Sequence, residues 1–165
     1  MQSTSSESLP TPSRAGDPIT RFRPQSTWLL LFLAFITFGV YYGHYTLRQT
    51  RALSPCLPED KGRRLLAASY RVLIMGYASL VPVAALWLLP LSAGTAAVIG
   101  MLGNAWLLLW LLMHSVWSVM FRTRLNAYYG FQPGSPDWFH GFWSFFFPSL
   151  YVNYKINRIV ERRPF

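Results

Sequence analysis

The chain has 165 residues, room for one small domain, and it is 52% hydrophobic and 17% aromatic with only 13% charged residues, against about 25% charged in a typical soluble domain. Its net charge of +9 comes from Lys and Arg that bracket apolar segments and do not interleave with aromatics on a soluble face, which argues against nucleic acid and for anionic headgroups. One cysteine, Cys56, excludes an internal disulfide and any cysteine-cluster metal site.

Residues 1–25 are rich in Ser, Thr and Pro and lack apolar periodicity, so they are expected to form a disordered tail. They are not expected to form a secretory signal, because the apolar run starts only at Trp28 and ends in aromatics. A single membrane domain is then expected over 26–160, in segments 27–47, 58–90, 96–121 and 137–158, with a basic tail at 161–165. In the first segment the run Trp28 to Val40 reaches about 20 Å as a helix, short of the ~30 Å hydrocarbon layer. It crosses only by drawing in Tyr41, Tyr42, His44 and Tyr45. Within it Thr37, Gly39, Tyr41, Gly43 and Tyr45 form a motif: the two glycines share a helix face that admits another backbone, and the two tyrosines form a stripe suited to headgroups.

Arg48, Arg51, Lys61, Arg63 and Arg64 follow, as candidate lipid-headgroup contacts. Pro58-Glu59-Asp60 is a helix-start signature, although Gly62 inside that helix weakens it. From Val72 to Phe121 there is no Asp, Glu, Lys or Arg, and Pro90-Leu91-Ser92-Ala93-Gly94 supplies a turn near the middle, which predicts a transmembrane helical hairpin. Pro82 in the first span frees the carbonyl of Ala78. The second span carries Asn104, His114, Ser115 and Ser118. At about 100° per residue Asn104 and Ser115 nearly coincide, with Ser118 and His114 roughly 40° and 80° to one side. This polar stripe is expected to bond the first span or a second subunit, with a proton or solute path as the alternative.

The last segment, Trp138 to Val152, is aromatic and interrupted by Pro148. Sliding the chain by 110 residues aligns Phe35 with Phe145, Val40 with Leu150, Tyr41 with Tyr151 and Arg48 with Arg158, which suggests a duplication flanking the hairpin, or two segments alike in composition. Counting bases decides between two and four spans. If the outer segments cross, the fifteen Lys and Arg divide eight to seven; if they dip in and return, all fifteen are on the cytoplasmic side, as the positive-inside rule favours. The expected fold is therefore all-α and integral to the membrane: a central two-helix hairpin flanked by two short aromatic helices that are re-entrant, interfacial or marginally spanning, with both termini cytoplasmic.

The run Phe35-Ile36-Thr37-Phe38-Gly39-Val40-Tyr41-Tyr42-Gly43-His44-Tyr45 resembles the Thr-x-Gly-x-Tyr-x-x-x-Tyr/Trp signature of small bacterial membrane proteins in domain of unknown function family 4234, and Tyr151-Val152-Asn153-Tyr154-Lys155-Ile156-Asn157 resembles their second aromatic segment. The likeness covers most of residues 28–160 in layout. It implies a multi-pass protein of a bacterial inner membrane and brings no catalytic residue.

No cofactor or metal is expected. His44, His114 and His140 sit on three segments, and Asp137 with His140 makes only one acid-base pair. Glu7 and Asp17 are in the tail and Glu59 and Asp60 start a helix, which leaves Asp137 and Glu161 as a thin basis for catalysis. The expected role is a non-enzymatic interaction or accessory module that binds anionic lipid, a membrane protein or a second copy. The alternatives are a subunit of an oligomeric transporter or channel and, third, a membrane enzyme.

Overall fold

The computed structural model describes residues 16–162, and every regular element among them is helical: α1 (Pro18–Arg21), α2 (Thr27–Ile36), α3 (Val40–Leu53), a 3-10 turn at Ser54–Cys56, α4 (Glu59–Ala78), α5 (Leu80–Leu88), α6 (Ala93–Tyr129), α7 (Gly141–Phe146) and α8 (Pro148–Arg162). The uncharged window accounts for the two longest stretches. Pro58 precedes α4 and Glu59 and Asp60 occupy its first turn, where the helix dipole favours acids. The helix is interrupted only at Ser79, one turn before Pro82, where the Ser79 hydroxyl donates to the Gly76 carbonyl at 2.6 Å. Taken together, Glu59–Leu88 spans 30 residues and Ala93–Tyr129 spans 37, each long and apolar enough to cross a membrane. Ser92 caps α6 by accepting from the Thr95 N–H, and Gly130 ends it in the left-handed conformation.

Indole donors tie α6 to its neighbour. Trp110 Nε1–H donates to the Val72 carbonyl at 2.9 Å and Trp106 Nε1–H to the Met75 carbonyl at 3.1 Å, while Gly103 faces the Pro82 ring. Residue numbers fall along α6 as they rise along α4 and α5, so α6 runs antiparallel to them. Gly62, a weakness in the sequence signature, has a packing reason: an added Cβ would lie 2.8 Å from the Ser54 carbonyl oxygen.

Each outer segment, expected to be re-entrant, interfacial or marginally spanning, is two helices around a break. In the first, the Thr37 hydroxyl donates to Leu33 O at 2.7 Å, the Gly39 N–H donates to Ala34 O at 2.7 Å, and Phe38 and Gly39 have positive φ. These bonds close α2, and α3 returns past residue 25, where Tyr41 and Arg48 both reach Gln25. In the last segment α7 stops at Phe146, Pro148 opens α8 without an amide hydrogen, and α8 returns so that the Tyr151 hydroxyl accepts from the His140 N–H at 3.0 Å. The breaks at 37–39 and 147–148 obey the 110-residue offset read from the sequence.

The expected disordered tail is corrected over residues 16–25. Asp17 caps α1 by accepting from the Ile19 N–H, and Ile19 (2% exposed) and Phe22 enter the core, where Phe22 meets the Phe121 ring at 6.2 Å between centroids. Isolated apolar residues anchor this strap, and they leave no periodic signal. Residues 1–15 and 163–165, and with them most of both tails, lie outside the described residues.

Burial divides the molecule into two parts. Tyr45, Leu53, Leu65, Val72, Trp117, Phe121, Leu125, Phe139, Val152 and Ile156 form one core, and Trp117 Nε1–H donates to Thr50 Oγ1 at 2.8 Å inside it. The last buried residue of α4 is Gly76, α5 has none, and the first in α6 is Trp110. A body of packed helices therefore carries a bare two-helix finger. The body closes on Gly43, where an added Cβ would stand 2.8 Å from the Cα of Leu73. Backbone cannot swing aside as a side chain can, so Gly43→Ala is expected to cost about 1–3 kcal/mol, whereas Gly100→Ala, with open space around it, stays within about 0.5 kcal/mol. Thermal melts in mild detergent check the pair.

Candidate functional site

Gln25, at the foot of α2, joins the first and last segments of the body. Its N–H donates to Asn157 Oδ1 at 3.2 Å, and its carbonyl accepts from Asn153 Nδ2 at 2.9 Å and Asn157 Nδ2 at 2.8 Å. Its side chain exchanges hydrogen bonds with the Tyr41 hydroxyl and accepts from the Arg48 guanidinium, which also lies over the Tyr45 ring. Tyr41 of the first aromatic segment and Asn153 of the second are thus brought together through one residue. Gln25 had no signal in the sequence, because its partners are long-range.

The polar stripe of α6 has a different partner from the one expected. His114 Nε2 and Ser149 Oγ are 2.7 Å apart, Ser115 Oγ donates to the Phe145 carbonyl at 2.7 Å, and Ser118 Oγ reaches toward the Pro148 carbonyl at 3.5 Å. These three residues receive the α7–α8 break, and the stripe does not bond the first span. Asn104 is corrected: it shares the helical phase of Ser115 but stands about 16 Å farther along α6, beyond the reach of α7, where it is exposed and makes no hydrogen bond among the described residues. Periodicity fixes direction and says nothing of height. With Ser79, Pro82, Gly103 and the Phe38 side chain, Asn104 lines a groove of about 300 Å³.

The motif from Thr37 to Tyr45 is a turn followed by a packed helix. Gly39 precedes α3 with φ 87°, a backbone that suits glycine, and an added Cβ there would meet the Trp110 ring at 2.8 Å. Gly39 and Gly43 therefore do not form one face of one helix. Tyr45 is corrected as well: it is 1% exposed, inside the core and not on an outer stripe, and burial pushes its hydroxyl pKa up. On the outer side of α3, His44 Nε2 bonds the Tyr77 hydroxyl at 2.7 Å, beside a second shallow cavity of about 350 Å³.

Of the expected headgroup contacts, Arg51, Lys61, Arg63 and Arg64 are exposed, with Arg51 donating to the Tyr70 hydroxyl at 2.9 Å. Arg48 is half-buried and spent on Gln25. Asp137 pairs with Arg162 at 3.2 Å and not with His140, which removes the acid-base pair. Among the described residues no group of three His, Cys, Asp or Glu side chains could hold a metal ion. The Asn126 side chain donates to the Phe139 carbonyl and accepts from the Phe139 N–H, both at 3.1 Å, and pins the strand of chain entering α7. Its isolated position hid it from sequence reading.

Two surfaces stay uncommitted. One is the finger; the other is a collar on the body, where Trp28 (81% exposed), Phe32, Phe35 (83%), Phe142 and Phe146 point outward. No protein-family model, curated protein or solved structure matches the chain.

Beneath the collar Lys155 is 5% exposed, donates to the Pro136 carbonyl and lies over the Phe139 ring. Burial, with the Arg158 and Arg162 charges adding to it, holds its pKa below the ordinary 10.5 against the opposing pull of Asp137. Between the lowered folded value and 10.5 the unfolded chain binds more protons, so stability from this group rises with pH across that window. The melting temperature of the wild type relative to Lys155→Met is expected to climb as pH approaches 10.5. A difference independent of pH would show an unperturbed ammonium.

Proposed function

We propose that the protein is a multi-pass, non-enzymatic membrane module, anchored by its two long helices and bound to anionic headgroups through the basic end of the body. The bare finger is the observation that carries this reading. Its surface is uncharged and leaves Trp87, Leu88, Met101, Leu102 and Leu108 exposed, an arrangement that costs solvation free energy in water and none in hydrocarbon. Residues 93–109 rise about 25 Å, close to the ~30 Å apolar layer.

Orientation follows from the basic residues. The finger holds none, Arg71 is the one nearest to it, and both outer segments enter and leave from the body side. That arrangement keeps every described Lys and Arg on one face, which the positive-inside rule assigns to the cytoplasm. Arg51, Lys61, Arg63 and Arg64 then meet headgroups, each contributing about 1 kcal/mol near an anionic surface. The resemblance to family 4234 supports a bacterial inner membrane. Use of His114, Ser115 and Ser118 inside the body leaves that face no water path, which weighs against the transport alternative.

Single-cysteine labelling in a Cys56→Ser background tests the topology. An impermeant thiol reagent applied to intact cells is expected to modify Ala93→Cys and to leave Glu161→Cys unmodified. Modification of both would sink the re-entrant arrangement.

Asn104 supplies the partner proposal. Set in hydrocarbon with both a donor and an acceptor unbonded, its amide is matched by the same amide on a second copy, for about 0.6–2 kcal/mol. Crosslinked dimer in mild detergent is expected to fall in Asn104→Leu with no loss of melting temperature. Unchanged crosslinking would leave the partner to be another protein.

A further inference from the structure

The number of helices changes abruptly along the long axis. On the basic side of Trp110, α2, α3, α7 and α8 pack around α4 and α6; beyond it only α5 and the first half of α6 continue. Both breaks stop at nearly the same height, since Gly39 abuts Trp110 and Ser149 bonds His114 one turn away. A helix with its side chains is about 10 Å across, roughly 80 Å² in section, so six helices against two differ by roughly 300 Å².

The outer face of this wide part is what lipid would touch. Trp28, Phe32 and Phe35 on α2, and Phe142 and Phe146 on α7, are exposed at the level of the body, and the exposed Arg51, Lys61, Arg63 and Arg64 belong to the elements at its polar end. Arg71, exposed beside Val72, has a side chain long enough to reach toward that polar end. Apart from it, apolar rings above and cations below match acyl chains and anionic headgroups of a single leaflet, the pattern by which interfacial helices bury to about 5–10 Å and become sensitive to curvature. The far leaflet receives only the finger.

Resting on the membrane reading proposed above, we infer that the body is a leaflet-selective wedge: it occupies the basic-side leaflet far more than the opposite one, and so favours bilayers curved with the basic side convex. Its occupant is the acyl region of that leaflet. The two outer segments thereby gain a use, as devices that widen the protein on one side without crossing the bilayer.

Full-length protein, labelled at Glu161→Cys in a Cys56→Ser background, is reconstituted into phosphatidylcholine–phosphatidylglycerol vesicles, either small and sonicated or large and extruded. Protein per lipid with the body outward is expected to be severalfold higher on the small vesicles, the direction that curvature sensitivity gives. In Trp28→Gln/Phe35→Gln/Phe142→Gln/Phe146→Gln the ratio is expected to fall toward one while the chain still resists alkaline carbonate extraction. Trp28→Gln/Phe35→Gln, which leaves α7 untouched, is expected to be intermediate and guards against misfolding of the fourfold variant. Carbonate-resistant wild type at equal density on both vesicle sizes overturns the wedge and spares the membrane reading. Wild type released by carbonate overturns both. An oligomer in detergent that the fourfold variant dissolves, with the density ratio unmoved, assigns the collar to a second copy and also overturns the wedge.

Discussion

A helix that ends leaves carbonyl groups and amide hydrogens in need of partners, and the two interrupted segments of this protein are organised by how the chain supplies them. The first break meets it locally. Thr37 and Gly39 donate back to Leu33 and Ala34, and the Tyr41 N–H donates to the Thr37 hydroxyl, so the turn is nearly self-sufficient and offers α6 only the flat contact between Gly39 and Trp110. The second break turns on Pro148, which the offset aligns with Phe38, and borrows its partners from α6, through His114, Ser115 and Ser118. Two segments of like shape thus solve one problem with different residues. The division explains why α6 is polar along one half and apolar along the other.

Much of the helical layout is legible in the sequence because it rests on length and hydropathy. The uncharged window gives both long helices, and the acids at 59 and 60 locate the start of α4. The 110-residue offset, found by matching side chains, also matches the backbone breaks, which compositional likeness alone does not require. Helix bounds differ where local chemistry extends them: α6 continues past Phe121 to Tyr129 because Leu125 and Asn126 are buried in the body even though Arg122 and Arg124 interrupt the hydropathy.

What was not legible is height and tertiary docking. Asn104 and Ser115 share a direction on the helical wheel but not a neighbour, since α7 is too short to reach both. Tyr45 looks like Tyr41 at helical spacing, yet one turn of α3 carries it from the rim into the core. Gln25 lies in a stretch whose composition suggests disorder, and its partners are in other elements, Tyr41 and Arg48 on α3 and Asn153 and Asn157 on α8. Arg48 illustrates the same point, because a base beside an apolar run reads as a lipid contact until a buried acceptor claims it.

The Gln25 junction also bears on the order of events during synthesis. Its bonds to Asn157 span 132 residues. At about 5–20 residues per second, Gln25 waits roughly 7–26 s between its own synthesis and that of its last partner. The finger has no such dependence: α5 and the start of α6 follow one another directly and contact each other. The helices from α2 to α6 also meet their chain neighbours as they emerge, so the body is sealed last, when α8 clasps the strap at Gln25.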